Sequence, residues 1–592
     1  MIAFLRWLKS IGLGVLNGIA KTAAFLILVF IVIVAIGVVQ GDGLPSNMVL
    51  ALDLRAPLLD SSNVDFSFGS SPVTVMDIVL ALDAAERDPR VKGAVLRVGS
   101  ANLSIAQAEE IGAALKKFEK SGKFVIAHSQ GFLAAGLGDY LTVADANEIW
   151  MQPKAPFTAA GEGGGQIFLR GLLDKLQAVP QIVKRADYKS AADQVMEKNM
   201  TPADREQLTR LMQSWYDAAT TSAAASRHLA QSSVVAAFEA SPQLTENARA
   251  AGLIDRIGYD DDAQNAALAR AGDGAKMVAL AEFARVRKQT GEYGGGTRIA
   301  LIQASGEIQD GAAGGGGLFG GDNVIGGDTL SKAIRAAAAD KDVRAIILRV
   351  DSPGGSVTAS DQILDAVKKA QSAGKPVIVS MGGVAASGGY YISLSANRIV
   401  AEPGTITGSI GVLTGKVSID RSLALAGVGT DTVGVGRNAL YNSEFQPYTP
   451  DQLAALNREA DAIYADFTQK VAGGRKLPLA KVQDIAKGRV WSGADARGNG
   501  LVDELGGFWT AADVAKKLAG IAPDERVSFR LYPRQKGLFE ALGDLFGNSS
   551  AGVRAAQGIV TLMNAPAVRA VVGAVNELPR GGVELRATQL PR

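Results

Sequence analysis

The sequence predicts a tandem α/β protein with largely parallel strands, set behind one apolar segment near the amino terminus. Three observations predict it. Short β-branched runs alternate with amphipathic stretches of helical length, the pattern of α/β units. A series of local matches recurs in the same order at a nearly constant offset, as in a duplicated domain. One uncharged apolar run of about membrane-spanning length precedes all of them. The chain has 592 residues, too many for one core and suited to two.

The apolar run is Ala23 to Val39 (AAFLILVFIVIVAIGVV). Arg6, Lys9 and Lys21 precede it, and the first acidic residue, Asp42, follows it. That asymmetry puts residues 1–22 in the cytoplasm and the rest of the chain on the outer side of the membrane. Ile2, Phe4, Leu5, Trp7 and Leu8 would suit a short interfacial helix before the span. A cleaved signal peptide is the competing reading. The residues after the run, Gln40-Gly-Asp-Gly-Leu-Pro, contain no small-x-small cleavage site, which favours an uncleaved anchor.

The duplication comes next. Val91-Lys-Gly-Ala-Val-Leu-Arg-Val matches Val343-Arg-Ala-Ile-Ile-Leu-Arg-Val, and Ala146-Asn147 matches Ala396-Asn397. Pro153 matches Pro403, Thr201-Pro202 matches Thr449-Pro450, and Gly252-Leu-Ile-Asp matches Gly500-Leu-Val-Asp. The offset drifts only from 252 (Val343 against Val91) to 248 (Gly500 against Gly252). One copy spans residues 48–290 and the other 298–530. In the second, strands are expected at Ala345–Val350, Val377–Ser380 and Arg398–Ala401, and helices at Asp361–Gln371 and Asp451–Val471. Gly291–Thr297 reads as a flexible linker and the glycine-rich Gly311–Gly327 as a mobile loop. Residues 540–592 have no counterpart in the first copy and suggest no role.

Composition narrows the chemistry. A net charge of +2, with charges scattered, leaves no footprint for nucleic acid. There is no cysteine, so disulfides, thiolate metal sites and cysteine nucleophiles are all excluded. The two histidines, His128 and His228, fall in a strand end and an alanine-rich helix. Both read as structural, which argues against a His-rich metal centre or a Ser-His-Asp triad.

What remains is serine and lysine. Ser409 stands between glycines in Pro403-Gly-Thr-Ile-Thr-Gly-Ser-Ile-Gly-Val, after the strand-like run Asn397-Arg-Ile-Val-Ala-Glu. A hydroxyl in such a turn suits a nucleophile, although the stretch taken alone reads more readily as a loop. The first copy has Ala159 or Ala160 there. Farther on, Lys189 of the first copy faces Arg437 of the second. Lysine can act as a general base once burial lowers its pKa; arginine stays protonated. One copy thus offers a base without a serine and the other a serine without a base. The two could complete one site, though drifting surface residues would give the same pattern.

Asp351-Ser-Pro-Gly-Gly-Ser-Val follows a strand and precedes a helix, so the N–H groups of Gly354 and Gly355 could hold an oxyanion. A tight strand-to-helix turn is the plain alternative. Ser387, in Ala-Ala-Ser-Gly-Gly-Tyr-Tyr, is a rival nucleophile whose small neighbours are better explained by a closely packed helix.

Together the anchor, the tandem halves, Asp351-Ser-Pro-Gly-Gly-Ser, Ala386-Ser-Gly-Gly-Tyr-Tyr, Thr407-Gly-Ser-Ile-Gly-Val and Tyr188-Lys-Ser-Ala resemble the signal peptide peptidase A family in its long bacterial form. The resemblance covers roughly residues 20–530. It implies tandem domains like the Clp protease subunit and crotonase, and a homotetramer on the outer face of the cytoplasmic membrane. It also implies a Ser/Lys dyad, with Ser409 as nucleophile and Lys189 as general base. The oxyanion would rest on the N–H groups of Gly354 and Gly355, with that of Ile410 as a third donor. The substrates implied are signal peptides already released from their precursors, and neither metal nor organic cofactor is needed. No hydroxyl that orients the lysine stands out, since Gly434 and Gly436 occupy the region expected for it. The rival readings are a crotonase-type acyl-thioester enzyme and a non-catalytic membrane scaffold.

Overall fold

Two parallel sheets with one strand order carry the duplication into three dimensions. The computed structural model describes residues 42–61, 73–287, 292–313 and 324–533. From edge to edge the first sheet runs Arg256–Ile257, Glu148–Met151, Phe124–Ser129, Val91–Val98, Met48–Asp53 and Lys276–Ala279, all neighbours parallel. The second runs Glu504–Leu505, Arg398–Ala401, Val377–Ala386, Val343–Ser352, Thr297–Ser305 and Val527–Tyr532 in the same order. Glu292–Gly294 adds an antiparallel edge to it. The central strands are nearly continuous apolar runs because helices cover both faces. In Val343–Ser352 every residue but Arg344 and Asp351 is buried.

The helices repeat as well. Ser104 and Ser356 cap Ile105–Lys120 and Val357–Ser372, each side chain accepting an N–H three residues on. Thr201 and Thr449 cap Pro202–Arg227 and Pro450–Arg475, with the proline at the first helical position in both. Tyr140 and Tyr390 each donate their hydroxyl to a buried carbonyl, of Leu253 and of Leu501.

Three expectations change. The stretch expected to be a flexible linker contains the strand Glu292–Gly294, whose Tyr293 is buried. In the glycine-rich stretch, Val324–Gly326 pairs with Glu307–Gln309. Ser409 does not directly follow Arg398–Ala401: a second short strand, Ile406–Gly408, intervenes and pairs with Val384–Ala386 and with Val490–Ser492. The expected anchor at residues 23–39, the segment before it and the tail 540–592 lie outside the described residues. Among the described residues, no helix is long and apolar enough to cross a membrane.

The halves meet along a ribbon and a buried seam. Val179–Arg185 of the first half pairs antiparallel with Val412–Ser418 of the second. In the seam, Arg349 is wholly buried and donates to Asp60, Glu110 and Ser380. Burying such an ion is costly unless it is paired, and here two carboxylates from the first half pair with it. Glu109, Asp351 and Glu402 lie beside them. Burial, reinforced by Glu110, pushes Glu109 up to about 7. Burial also raises Asp351, with Asp60 adding to the effect, and raises Glu402, with Glu110 and Glu109 adding.

Candidate active site

Lys189 enters the second half from a loop that follows the ribbon strand Val179–Arg185. Tyr188 donates its N–H to the Lys487 carbonyl at 3.1 Å, which seats the loop against residues 486–489. Gly488 has a φ of +74°, and a Cβ there would stand 2.6 Å from Lys189 Cβ. Only glycine permits that approach without displacement.

The lysine is 7% exposed. Its Nζ lies 2.9 Å from Ser409 Oγ, 3.2 Å from the Ser409 carbonyl and 3.1 Å from Ser387 Oγ. Burial alone lowers its pKa to about 8. Among the described residues the partners of its amine are the two serines, and no neighbouring charge opposes the effect of burial. A buried amine of this kind is partly neutral near physiological pH and can accept a proton.

The two serines differ in setting. Ser409 is 9% exposed, with a φ of +50°, and donates its N–H to the Arg489 carbonyl at 2.7 Å. Ser387 is half-buried and joins the strand Val377–Ala386 to the four-residue helix Gly388–Tyr391. Its φ of +53° and ψ of −115° are strained for a side-chain-bearing residue, and its N–H is held by the Gly408 carbonyl at 2.9 Å. The Gly354 turn lies against Ser387: a Cβ on Gly354 would stand 2.8 Å from Ser387 Cβ and 2.7 Å from the Gly388 nitrogen. Gly354 donates to Ser352 Oγ at 3.2 Å. Ile410 is buried, and its carbonyl accepts from Gly488 at 2.9 Å.

The first half shows the same framework with other side chains. Leu137 stands where Ser387 does, before the short helix Gly138–Leu141, and its backbone is in the ordinary helical region. Asn102 and Leu103 take the places of Gly354 and Gly355, two residues and one before the capping serine. Their N–H groups donate to the buried carboxylate of Asp139, at 3.2 and 2.9 Å. Asp139 replaces Gly389. The turn in the first half is therefore filled by an anion from its own chain.

The lysine and both serines are thus in one cluster, while the glycine turn faces Ser387. The sequence around Ser387 suggests a packed helix, whereas the residue stands at the junction just before one. Its motif was visible, but small residues around a serine fit close packing and an exposed turn equally well. Gly488 gave no signal, because its role depends on a contact between halves, and Arg489 gave none, because it holds the Ser409 N–H through its backbone carbonyl rather than its side chain. Among the described residues no group of three or more histidine or acidic side chains is arranged to hold a metal ion.

The profile of Peptidase family S49 matches residues 117–272 and 369–522, one stretch in each half. That of Clp protease matches residues 328–403, which include the Gly354 turn and Ser387. The chain is 30% identical to Protease 4 of Salmonella typhi, over 98% of this chain and 95% of that one. It is 31% identical to Protease 4 of Haemophilus influenzae, over 85% and 84%. It is 32% identical to the chloroplastic serine protease SPPA of Arabidopsis thaliana, over 85% and 74%. The chain belongs to peptidase family S49 and is a serine protease with two Clp protease-like halves.

Proposed function

We propose that Lys189 is the general base and that Ser387, rather than Ser409, attacks the peptide carbonyl. One observation carries this reading: the lysine amine touches both hydroxyls, but the glycine turn packs against Ser387. Neutral Lys189 takes the Ser387 Oγ proton as the oxygen bonds to the carbonyl carbon. The oxyanion is held by the N–H groups of Gly355 and Gly388, because that of Gly354 is engaged by Ser352. The lysine ammonium then protonates the leaving amine, and water, deprotonated by the same lysine, releases the acyl group. Ser409 holds the amine through its hydroxyl and carbonyl, and so supplies the orienting hydroxyl that the region of Gly434 and Gly436 lacks.

The reading from sequence, attack by Ser409 with Gly354, Gly355 and Ile410 as donors, has the shorter contact to Lys189 in its favour. Fluorophosphonate labelling separates the two. We expect the adduct on Ser387, lost in Ser387→Ala and in Lys189→Ala, and weakened but present in Ser409→Ala. An adduct mapped to Ser409 would reverse the roles.

The substrates proposed are released signal peptides, cleaved by an enzyme anchored through residues 23–39 with both halves on the outer face. The apolar run and its basic leading flank support this. Removing residues 1–39 should move the protein from the membrane to the soluble fraction. A homotetramer is supported by the ribbon. Its strands come from residues 179–185 and 412–418, whereas their counterparts at about 162–168 and 428–434 form no strand, and Ile167, Val433 and Val435 are exposed. A second copy could pair these. Light scattering should give four chains for the wild type and fewer for Ile167→Asp; a monomeric wild type would sink the idea.

A further inference from the structure

We propose that Gln207 is the positioning residue that holds Lys189 at the serine pair. This rests on the reading of Lys189 as general base. Gln207 lies in the first turns of the helix Pro202–Arg227 and is 2% exposed. Its Nε2 is 3.1 Å from the Tyr188 carbonyl and 2.9 Å from Ser190 Oγ, the residues on either side of Lys189. Its Oε1 accepts from the Val490 N–H at 3.2 Å. Val490 pairs with Gly408, immediately before Ser409, and follows Arg489, whose carbonyl holds the Ser409 N–H. A single amide therefore grips the lysine loop of the first half and the serine-bearing strands of the second.

The duplication offers an internal comparison. The helices Pro202–Arg227 and Pro450–Arg475 correspond residue for residue, so the counterpart of Gln207 is Ala455, as that of Lys189 is Arg437. The amide is present only in the half that has the lysine. In the second half the equivalent loop is tied differently, by Gln452 Nε2 to Asn438 Oδ1 at 3.1 Å. General support for a loop would not require glutamine in one half and alanine in the other. Asp204 adds a constraint: its Oδ1 lies 3.0 Å from Gln207 Nε2 and fixes which way the amide faces. A carboxylate cannot take the place of this amide, because the Tyr188 carbonyl needs a donor.

Loss of the clamp should let the loop shift by a fraction of an ångström and admit water to the amine. A misplacement of about 1 Å can cost about a hundredfold in rate, and a smaller shift correspondingly less. For Gln207→Ala we expect kcat to fall about tenfold or more with KM within about twofold, because the amide does not touch the peptide. The ascending limb of the pH–rate profile should move upward, since a better-solvated lysine titrates closer to its ordinary value. Gln207→Glu keeps the acceptor for Val490 and loses the donor to Tyr188, so it should be impaired as severely. Ser190→Ala, which removes one partner, should show a smaller change in the same direction and stands in if Gln207→Ala fails to fold. All are measured on the full-length protein beside Lys189→Ala. An inactive Lys189→Ala together with a folded Gln207→Ala of wild-type kcat and unshifted pH limb would overturn the proposal alone. An active Lys189→Ala would overturn the reading beneath it.

Discussion

At Lys189, function and stability pull against each other. Burial lowers the amine from its ordinary value of 10.5 to about 8, which means the folded protein disfavours the ammonium. Between about pH 8 and 10.5 the unfolded chain binds more protons than the folded one at this site, so stability contributed here rises with pH across that window. Below it the buried ammonium costs about 3 kcal/mol, at 1.36 kcal/mol per pKa unit. Lys189→Met should therefore abolish activity yet raise Tm at pH 7, and the gain should shrink toward pH 10.5. Thermal scans of both proteins across pH 6–10.5 check this; a Tm lowered at pH 7 would mean the amine is held by more than its contacts suggest.

At the scale of elements, the sequence disclosed what is local and repeated. The strand runs around Val343 and Val377, the helix after Thr449 and the lysine–arginine difference between copies are all legible from spacing and residue type. Ser387 and Ser409 both stand out in the sequence, but their roles depend on which one faces Gly354, and that is set by how Ile406–Gly408 lies beside Val384–Ala386. Strand runs of three residues carry too little periodicity to be recognised. Gln207 illustrates the same limit: its importance arises only when its helix docks on residues 488–490 of the other half. The seam behaves alike. Arg97 and Arg349 occupy equivalent places in matching strands, yet Arg97 meets Asp260 at a half-exposed site while Arg349 is buried between the halves.

The whole molecule inherits a pH conflict from that seam. Glu109, Asp351 and Glu402 have pKa values raised in the folded state, so their neutral forms stabilise packing at low pH. The folded protein retains protons there that the unfolded chain has lost. Stability from these groups is thus fully present below about pH 4 and declines as pH climbs toward and past 7. Activity should move the other way, because Lys189 must lose its proton. Glu402→Gln, a permanently neutral side chain of the same shape, should raise Tm at pH 8 and leave it nearly unchanged at pH 4. Equal effects at both pH values would show that Glu402 does not titrate in this range.

The carboxylate of Asp139 has a consequence for counting. Two halves of matching architecture suggest two equivalents of any reagent that mimics the tetrahedral intermediate. In the first half, however, Asn102 and Leu103 already give their N–H groups to a residue of the same chain, and no serine stands opposite. Such a reagent should titrate the protein with a stoichiometry of one per chain, which intact-mass measurement of the inhibited enzyme would read directly. The duplicated gene product would then be, in chemical terms, a single-site enzyme whose other half serves to deliver the base.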